Sequence, residues 1–346
     1  MLAKLEKRIE SVAELEEILS TPSPELVAEV STWDDGLVVL GAGGKMGPTL
    51  CRMAVNALRQ AGKDYPVTAV SRFSNPQERE KLEQAGVRTI VADLMDPDAV
   101  AALPDCRNVI FAAGRKFGST GAEATTWAMN AYMPGIVASR YAASRIAVFS
   151  SGNVYPFVPP STGGCSEDVP ADPKGEYAQS VLGRERVFEY FSRTNGTPVT
   201  IVRLFYAVEL RYGVLVDLAQ SIAAGEPIDV TMGSVNVIWQ RDANDYVLRS
   251  LSLASSPPVY FNLTGPETIS VRWAAQQLAR AMGREVRFVG EEADEALLGN
   301  AAFCFQRFGY PKMSLAEMIE LVADWVKRGG ETHGKPTHFQ TRDGKF

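Results

Sequence analysis

Apolar residues along this chain gather into short unbroken runs separated by stretches with helical spacing. Leu37-Val38-Val39-Leu40 is such a run, of the kind buried on both faces of a parallel sheet. Comparable runs recur at 67–70, 89–92, 108–112, 146–149 and 199–202. Between them the spacing predicts a helix through Leu50, Met53, Ala54 and Leu58, one over 77–85, a long one over about 125–143, and one starting near Tyr177. Alternation of strand and helix specifies an α/β fold with a doubly wound parallel sheet and helices on both faces. After residue 205 the pattern loosens, with helices expected at 214–224, 243–254, 271–282 and 314–327 and one strand over 259–263. The expected organisation is therefore a helical extension over 1–34, a sheet domain over 35–205, a smaller C-terminal substrate-binding part over 206–327, and a polar arm over 328–346.

Val12, Leu15 and Ile18 recur at helical spacing in the extension, and Thr21-Pro22-Ser23-Pro24 breaks the run, so two short helices packed on their own chain are expected. The arm, RGGETHGKPTHFQTRDGKF, is Gly-rich and polar, and is either disordered or docked on its own chain or a partner. Its His333 and His338 are the only two histidines, which disfavours a core histidine base or a His-rich metal site; a solvated polar tail is the plainer reading.

The 346 residues are 46% hydrophobic and 22% charged, enough for a full core. The formal net charge is −6 and no block of Lys or Arg stands out, which argues against nucleic acid as a partner. No apolar run approaches the ~20 residues of a membrane helix. The first residues mix Lys and Glu, unlike a signal peptide. Cys51, Cys106, Cys165 and Cys304 are scattered, suggesting neither a zinc site nor a disulfide framework and fitting a reducing cytoplasm.

Gly41-Ala42-Gly43-Gly44-Lys45-Met46-Gly47 lies between the first strand and the first helix of the sheet domain. Glycine there permits a tight turn, lets backbone approach a pyrophosphate, and lets helix and strand pack closely. The helix N-terminus then offers free N–H groups to the phosphates. In that context the turn predicts a Rossmann-type domain holding NAD or NADP. At the end of the second strand stand Ser71 and Arg72, with no carboxylate for the adenosine ribose; a guanidinium suits a 2′-phosphate and favours NADP. Asp93, followed by Leu94, is placed to bond the adenine amino group or to cap the next turn.

From residue 36 to 327 the chain resembles the extended short-chain dehydrogenase/reductases, the NAD(P)-dependent epimerase/dehydratase group. Gly41, Gly44 and Gly47 match the group's G-x-x-G-x-x-G, and Asp93-Leu94 its acidic position. Phe111-Ala112-Ala113-Gly114 resembles the fourth-strand end along the cofactor, and Asn130 a helix asparagine. The segment 149–155 resembles S-S-x-x-V-Y, and Arg203-Leu204-Phe205 resembles R-L-F. Asp242 and the stretch 260–266 resemble later landmarks. Segment 67–111 also looks like NmrA-type members, which bind cofactor and need not turn over substrate. The resemblance implies that Ser151 and Tyr177 act on the reacting oxygen of a sugar-like or other hydroxylated small molecule, that Phe205 lies on the cofactor, and that the protein is a homodimer.

Tyr177-Ala178-Gln179-Ser180-Val181 aligns with the family's Y-x-x-x-K, but the lysine is absent. Residues i and i+4 share a helix face, so a lysine at 181 would lie beside the tyrosine and favour its phenolate. Three readings follow. Another cation stands in, from Lys174, Arg115 or Lys116, with Arg184 expected ~10 Å along the helix and out of reach. Or Tyr177 acts only as a neutral acid or donor. Or the site binds cofactor without catalysis, as a regulatory or scaffold protein.

Overall fold

The computed structural model of the chain describes residues 8–116 and 118–345. The first seven residues of the extension, and Phe346 of the arm, lie outside that description. Seven parallel strands form the central sheet: β1 (Leu37–Leu40), β2 (Val67–Ser71), β3 (Arg88–Val91), β4 (Asn108–Phe111), β5 (Arg145–Ser151), β6 (Val199–Leu204) and an edge strand, Val259–Leu263. Their order is β3-β2-β1-β4-β5-β6 followed by that edge strand. This is the doubly wound order, and the strand order switches sides between β1 and β4, where such folds bind ligands beyond the strand ends. All four residues of β1 are buried, with Leu37 beside Val67 on one flank and Asn108 on the other.

Two short helices open the chain, α1 (Val12–Leu19) and α2 (Pro24–Val30), each capped by a serine side chain. Helix α3 (Gly47–Gln60) follows the glycine turn, and α4 (Pro76–Gln84) and α5 (Pro97–Ala101) flank β3. The long helix expected over 125–143 is not continuous. It comprises α6 (Glu123–Trp127), one π turn (Ala128–Tyr132) and α7 (Met133–Arg140). Pro134 and Gly135 near its centre weaken the α-helical ladder, and π turns often sit at functional positions. Helix α8 (Gly175–Asn195) then runs along α7.

Beyond β6 the chain divides its loyalties. Helices α9 (Val214–Ala224), α11 (Val271–Met282) and α13 (Leu315–Lys327) pack on one another around Leu215, Leu278 and Val322. Helix α10 (Gln240–Arg249), shorter at its C-terminal end than the expected 243–254, returns to the sheet with α12 (Ala302–Phe308), burying Ala243, Tyr246 and Phe308 with Leu50 and Phe261. The arm is docked on its own chain: Thr337 and Phe339 are buried, and Trp325 donates to the Glu331 carbonyl at 2.9 Å. His333 and His338 are half-buried within it, so the tail is not simply solvated.

Candidate active site

The glycine turn is shaped by close approaches. Gly41 has φ +85°, and a Cβ there would stand 2.5 Å from the Ala113 nitrogen at the end of β4. A Cβ on Gly47 would stand 2.2 Å from the Ala42 carbonyl, so only glycine lets α3 begin so near β1. Gly43 and Gly44 are exposed, and a Cβ on Gly44 would meet nothing nearer than 3.5 Å. Helix α3 has Met46 at its N-cap with no side chain bonded to the first-turn N–H groups. A bare, glycine-lined helix start beside an open surface fits the diphosphate of a dinucleotide.

At the end of β4 the Asn130 side chain, carried on the π turn, clamps the backbone of Arg115. Its Oδ1 accepts from the Arg115 N–H at 2.8 Å and its Nδ2 donates to the Arg115 carbonyl at 2.8 Å. The same amide donates to Ser180 Oγ at 3.0 Å and accepts from Arg184 Nη2 at 2.8 Å. Arg184 Nη1 donates to the Phe149 carbonyl at 2.8 Å. Gly114 makes room for this guanidinium, since a Cβ there would stand 2.2 Å from Nη2.

Tyr177 lies in the first turn of α8, and its hydroxyl shares a hydrogen bond with the Ser151 side chain. Ser151 Oγ also accepts from Asn153 N at 3.2 Å and Asn153 Nδ2 at 2.9 Å. Burial holds the phenol's pKa above its ordinary value, while the Arg184 charge and the Ser151 hydroxyl pull it down. Arg184 itself is pushed down to about 10 by burial, which leaves it charged near neutrality. Val181 is buried with Val154, Tyr155 and Cys165 and supplies no charge.

Two lysines complete the surroundings. Lys116 Nζ sits 5.8 Å from the Tyr177 ring centroid and 5.9 Å from that of Tyr206, and donates to the Thr337 carbonyl at 3.5 Å. Lys45 Nζ lies 3.3 Å from the Tyr212 ring centroid. Burial lowers both, Lys45 to about 7 and Lys116 to about 8. Asp217 of α9 accepts from the Thr337 N–H at 2.8 Å and from its hydroxyl at 2.6 Å.

The model of the NAD dependent epimerase/dehydratase family matches residues 37–235, more than half of the chain. This chain belongs to that family. It is thus an NAD-dependent enzyme of the epimerase/oxidoreductase class. Solved structures agree on the fold. A mutant UDP-glucuronic acid 4-epimerase from Bacillus cereus, complexed with a fluorinated UDP-glucuronic acid and NAD, superposes with a TM-score of 0.71 at 16% identity, covering 85% of this chain and 99% of its own. UDP-glucose 4-epimerase from Thermus thermophilus with NAD gives 0.70 at 18% identity over the same shares. A UDP-galactose 4-epimerase gives 0.67 at 21%, again over 85% and 99%. No curated protein matches this chain.

Against the family's pattern, the structure brings the segments holding Gly41, Gly44 and Gly47 and Ala112, Ala113 and Gly114 side by side beyond the ends of β1 and β4. Lys45 reaches from the turn toward α9, and Met46 packs partly into the sheet core. Ser71 stands against Gly43, whose Cβ would lie 2.6 Å from Ser71 Oγ, and Arg72 is exposed next to it. Asp93 caps its own turn, accepting from Met95 N at 3.0 Å, while Leu94 is core. Phe205 stacks on Tyr155, their centroids 6.3 Å apart, and fills the space in front of Gly152.

Among the candidate cations, Lys174 precedes the helix, lies over the Phe157 ring and does not join the tyrosine's face. Arg184, expected out of reach along the helix, sends its hydrogen bonds to Phe149 and Asn130, and its charge still acts on the Tyr177 phenol. Asp217, Tyr206, Tyr212 and Thr337 were not legible as site residues; Gly114, read in the sequence only as part of the segment along the cofactor, also makes room for Arg184. Among the described residues no His, Cys, Asp or Glu cluster is arranged to hold a metal, and no helix is long and apolar enough to cross a membrane.

Proposed function

We propose that this chain acts as an NAD(P)-dependent epimerase or oxidoreductase on a sugar-like small molecule, with Tyr177 and Ser151 at the reacting oxygen. The observation that carries the reading is the hydrogen bond between the Tyr177 hydroxyl and the Ser151 side chain, with the Arg184 charge drawing the phenol's pKa down. Tyr177 gives or takes the proton of a substrate hydroxyl or carbonyl. Ser151 donates to the same oxygen and shares its charge. Arg184 supplies the positive field that the family's lysine supplies elsewhere, and Asn130 holds it and the loop after β4 in place. The bound nicotinamide supplies the hydride acceptor and donor. The turn residues Gly41, Gly44, Lys45, Met46 and Gly47 hold its diphosphate through backbone N–H groups, and Ala112, Ala113, Gly114 and Phe205 line the crevice beside it. Asp93 and Leu94 border the adenine.

NADP is the favoured cofactor over NAD because Arg72, and no carboxylate, follows β2 at the exposed end of the crevice. A homodimer is proposed from the exposed rings of Trp127, Tyr132 and Tyr190, on the neighbouring helices α6 to α8. Four buried free thiols suit a reducing cytoplasm.

The rival reading is a silent NAD(P)-binding regulator, favoured by Val181 in place of lysine. The two separate in one experiment. The protein is titrated with NAD and NADP, then incubated with UDP-glucose, UDP-glucuronic acid and keto sugars, with products followed by NMR. Turnover that falls ~100-fold or more in Tyr177→Phe supports the enzyme. Tight cofactor binding with no turnover supports the regulator, and no cofactor binding removes both. In the same titrations Arg72→Ala weakens NADP far more than NAD; equal losses would remove the NADP preference.

A further inference from the structure

We propose that residues 331–345 of the arm are a strap across the candidate site, which screens the surroundings of Tyr177 when docked and opens on its own to let small molecules in. The proposal rests on the epimerase reading for the importance of Tyr177 and adds a gate to it. The arm is bonded to both walls of the crevice. On the C-terminal side, Asp217 of α9 accepts from the Thr337 N–H at 2.8 Å and from its hydroxyl at 2.6 Å. Gln220 Nε2 donates to Thr332 Oγ1 at 3.1 Å, and the His333 N–H donates to the Arg211 carbonyl at 3.0 Å.

On the sheet side, the Thr337 carbonyl accepts from Lys116 Nζ at 3.5 Å, and that ammonium stands 5.8 Å from the Tyr177 ring centroid. Gly344 then lies backbone to backbone on the start of α8. A Cβ on Gly344 would stand 2.3 Å from the Lys174 carbonyl oxygen, and one on Gly175 would stand 2.4 Å from the Gly344 carbonyl oxygen. Gly175 precedes Tyr177 on the same first turn. The arm therefore crosses from one wall to the other within a side chain's length of the phenol ring.

What holds it there is weak in kind. Among the described residues of 331–345 only Thr337 and Phe339 are buried, and the Phe339 ring is its one contribution to the helical core of Leu218 and Val322. The remaining ties are hydrogen bonds, which water replaces at small net cost when the arm lifts. At the far end Arg342 Nη1 donates to the Glu295 carbonyl at 2.7 Å, its guanidinium 4.5 Å from the Phe157 ring centroid. A cavity of 710 Å³ lies between α9 and the arm, lined by Gln220, Thr332, Pro336 and Gln340, so the two are not close-packed along their length. Segments with so few buried apolar contacts open locally, well below the cost of unfolding the sheet.

Two measurements on the full chain test this, and neither needs a substrate. Hydrogen–deuterium exchange compares peptides from 331–345 with the peptide holding β1, all four of whose residues are buried. We expect the arm to exchange ~100-fold or more faster, through openings that leave the sheet closed. Brief acetylation with acetic anhydride then reads access to Lys116, with Lys81, exposed on α4, as the reference. We expect Lys116 to react ~10-fold or more slowly than Lys81 in the natural chain. Gly344→Ala forces the arm off α8 and Arg342→Ala removes its bond to the Glu295 carbonyl; each speeds labelling of Lys116 ~5-fold or more and leaves Lys81 unchanged. A variant whose β1 peptide loses protection has lost its fold, and the other then decides.

Exchange of the arm no faster than β1 would make it a fixed wall and overturn the proposal. Labelling of Lys116 as fast as Lys81, or unchanged in the folded variants, would mean that the arm screens nothing, and overturns it too. Either result leaves the epimerase reading to its own titrations and turnover assays. Absence of NAD binding removes that reading and does not alter the exchange or the labelling.

Discussion

Glu185 and Arg203 meet edge to edge, Arg203 Nε on Oε1 at 3.0 Å and Nη2 on Oε2 at 2.8 Å, with the carboxylate wholly buried. The pair anchors a chain of bonds behind the candidate dyad. Ser150 Oγ donates to Glu185 Oε1 at 2.5 Å, Arg203 Nη1 donates to the Tyr155 hydroxyl at 2.7 Å, and that hydroxyl donates to Asn262 Oδ1 at 2.9 Å. Helix α8, β5, β6 and the edge strand are thereby tied together beneath Ser151. Removing one partner strands a buried charge. Glu185→Leu is expected to lower unfolding free energy by about 3–5 kcal/mol in urea titrations, and Arg203→Met added to it to recover most of the loss. A double variant as unstable as the single one would contradict this account.

Arg184 is expected to show itself in a pH profile. Burial raises the Tyr177 pKa and the guanidinium lowers it, so taking the guanidinium away moves the pKa further up. Where the ionised phenol is the base, kcat/KM climbs with pH through that pKa. Arg184→Met therefore shifts the climb to higher pH. Val181→Lys in the same background places a cation at i+4 and shifts it back. A uniform drop in rate with the limb unmoved would mean that Arg184 only props the structure.

Two glycines of the turn separate folding from binding. Gly47→Ala drives a methyl to within 2.2 Å of the Ala42 carbonyl, and overpacking of this kind costs about 1–3 kcal/mol. Gly44→Ala meets only the Gly41 carbonyl at 3.5 Å, so thermal stability is expected to hold. The added methyl instead stands where the diphosphate approaches, and cofactor affinity falls ~10-fold or more by fluorescence titration. Unchanged affinity in Gly44→Ala would place the cofactor elsewhere.

The sheet was legible because its strands are apolar runs buried on both faces, and β1, β2 and β4 to β6 stand within a few residues of their expected places. The glycine turn was legible because steric demand at Gly41 and Gly47 leaves no other residue. The break in the helix around Asn130 was not, because a π turn depends on what its side chain finds across the crevice. The part of Arg184 was not legible because its partners, the Phe149 carbonyl and Asn130, come from other elements. The docked arm was illegible for a simpler reason. It is held by a single buried ring, Phe339, and by polar contacts such as Thr337 to Asp217, which leave no periodic trace in the sequence.

Helices α1 and α2 are fastened to both halves of the molecule at once. Glu16 accepts from Arg52 on α3 and from Arg211 before α9, each at 3.0 Å, while Ser23 N–H bonds Asp245 on α10 and Arg328 reaches back to the Ile9 carbonyl. Leu15 and Leu19 belong to one core and Leu26, Val30 and Trp33 to the other. A clasp of this sort resists rotation of one half against the other.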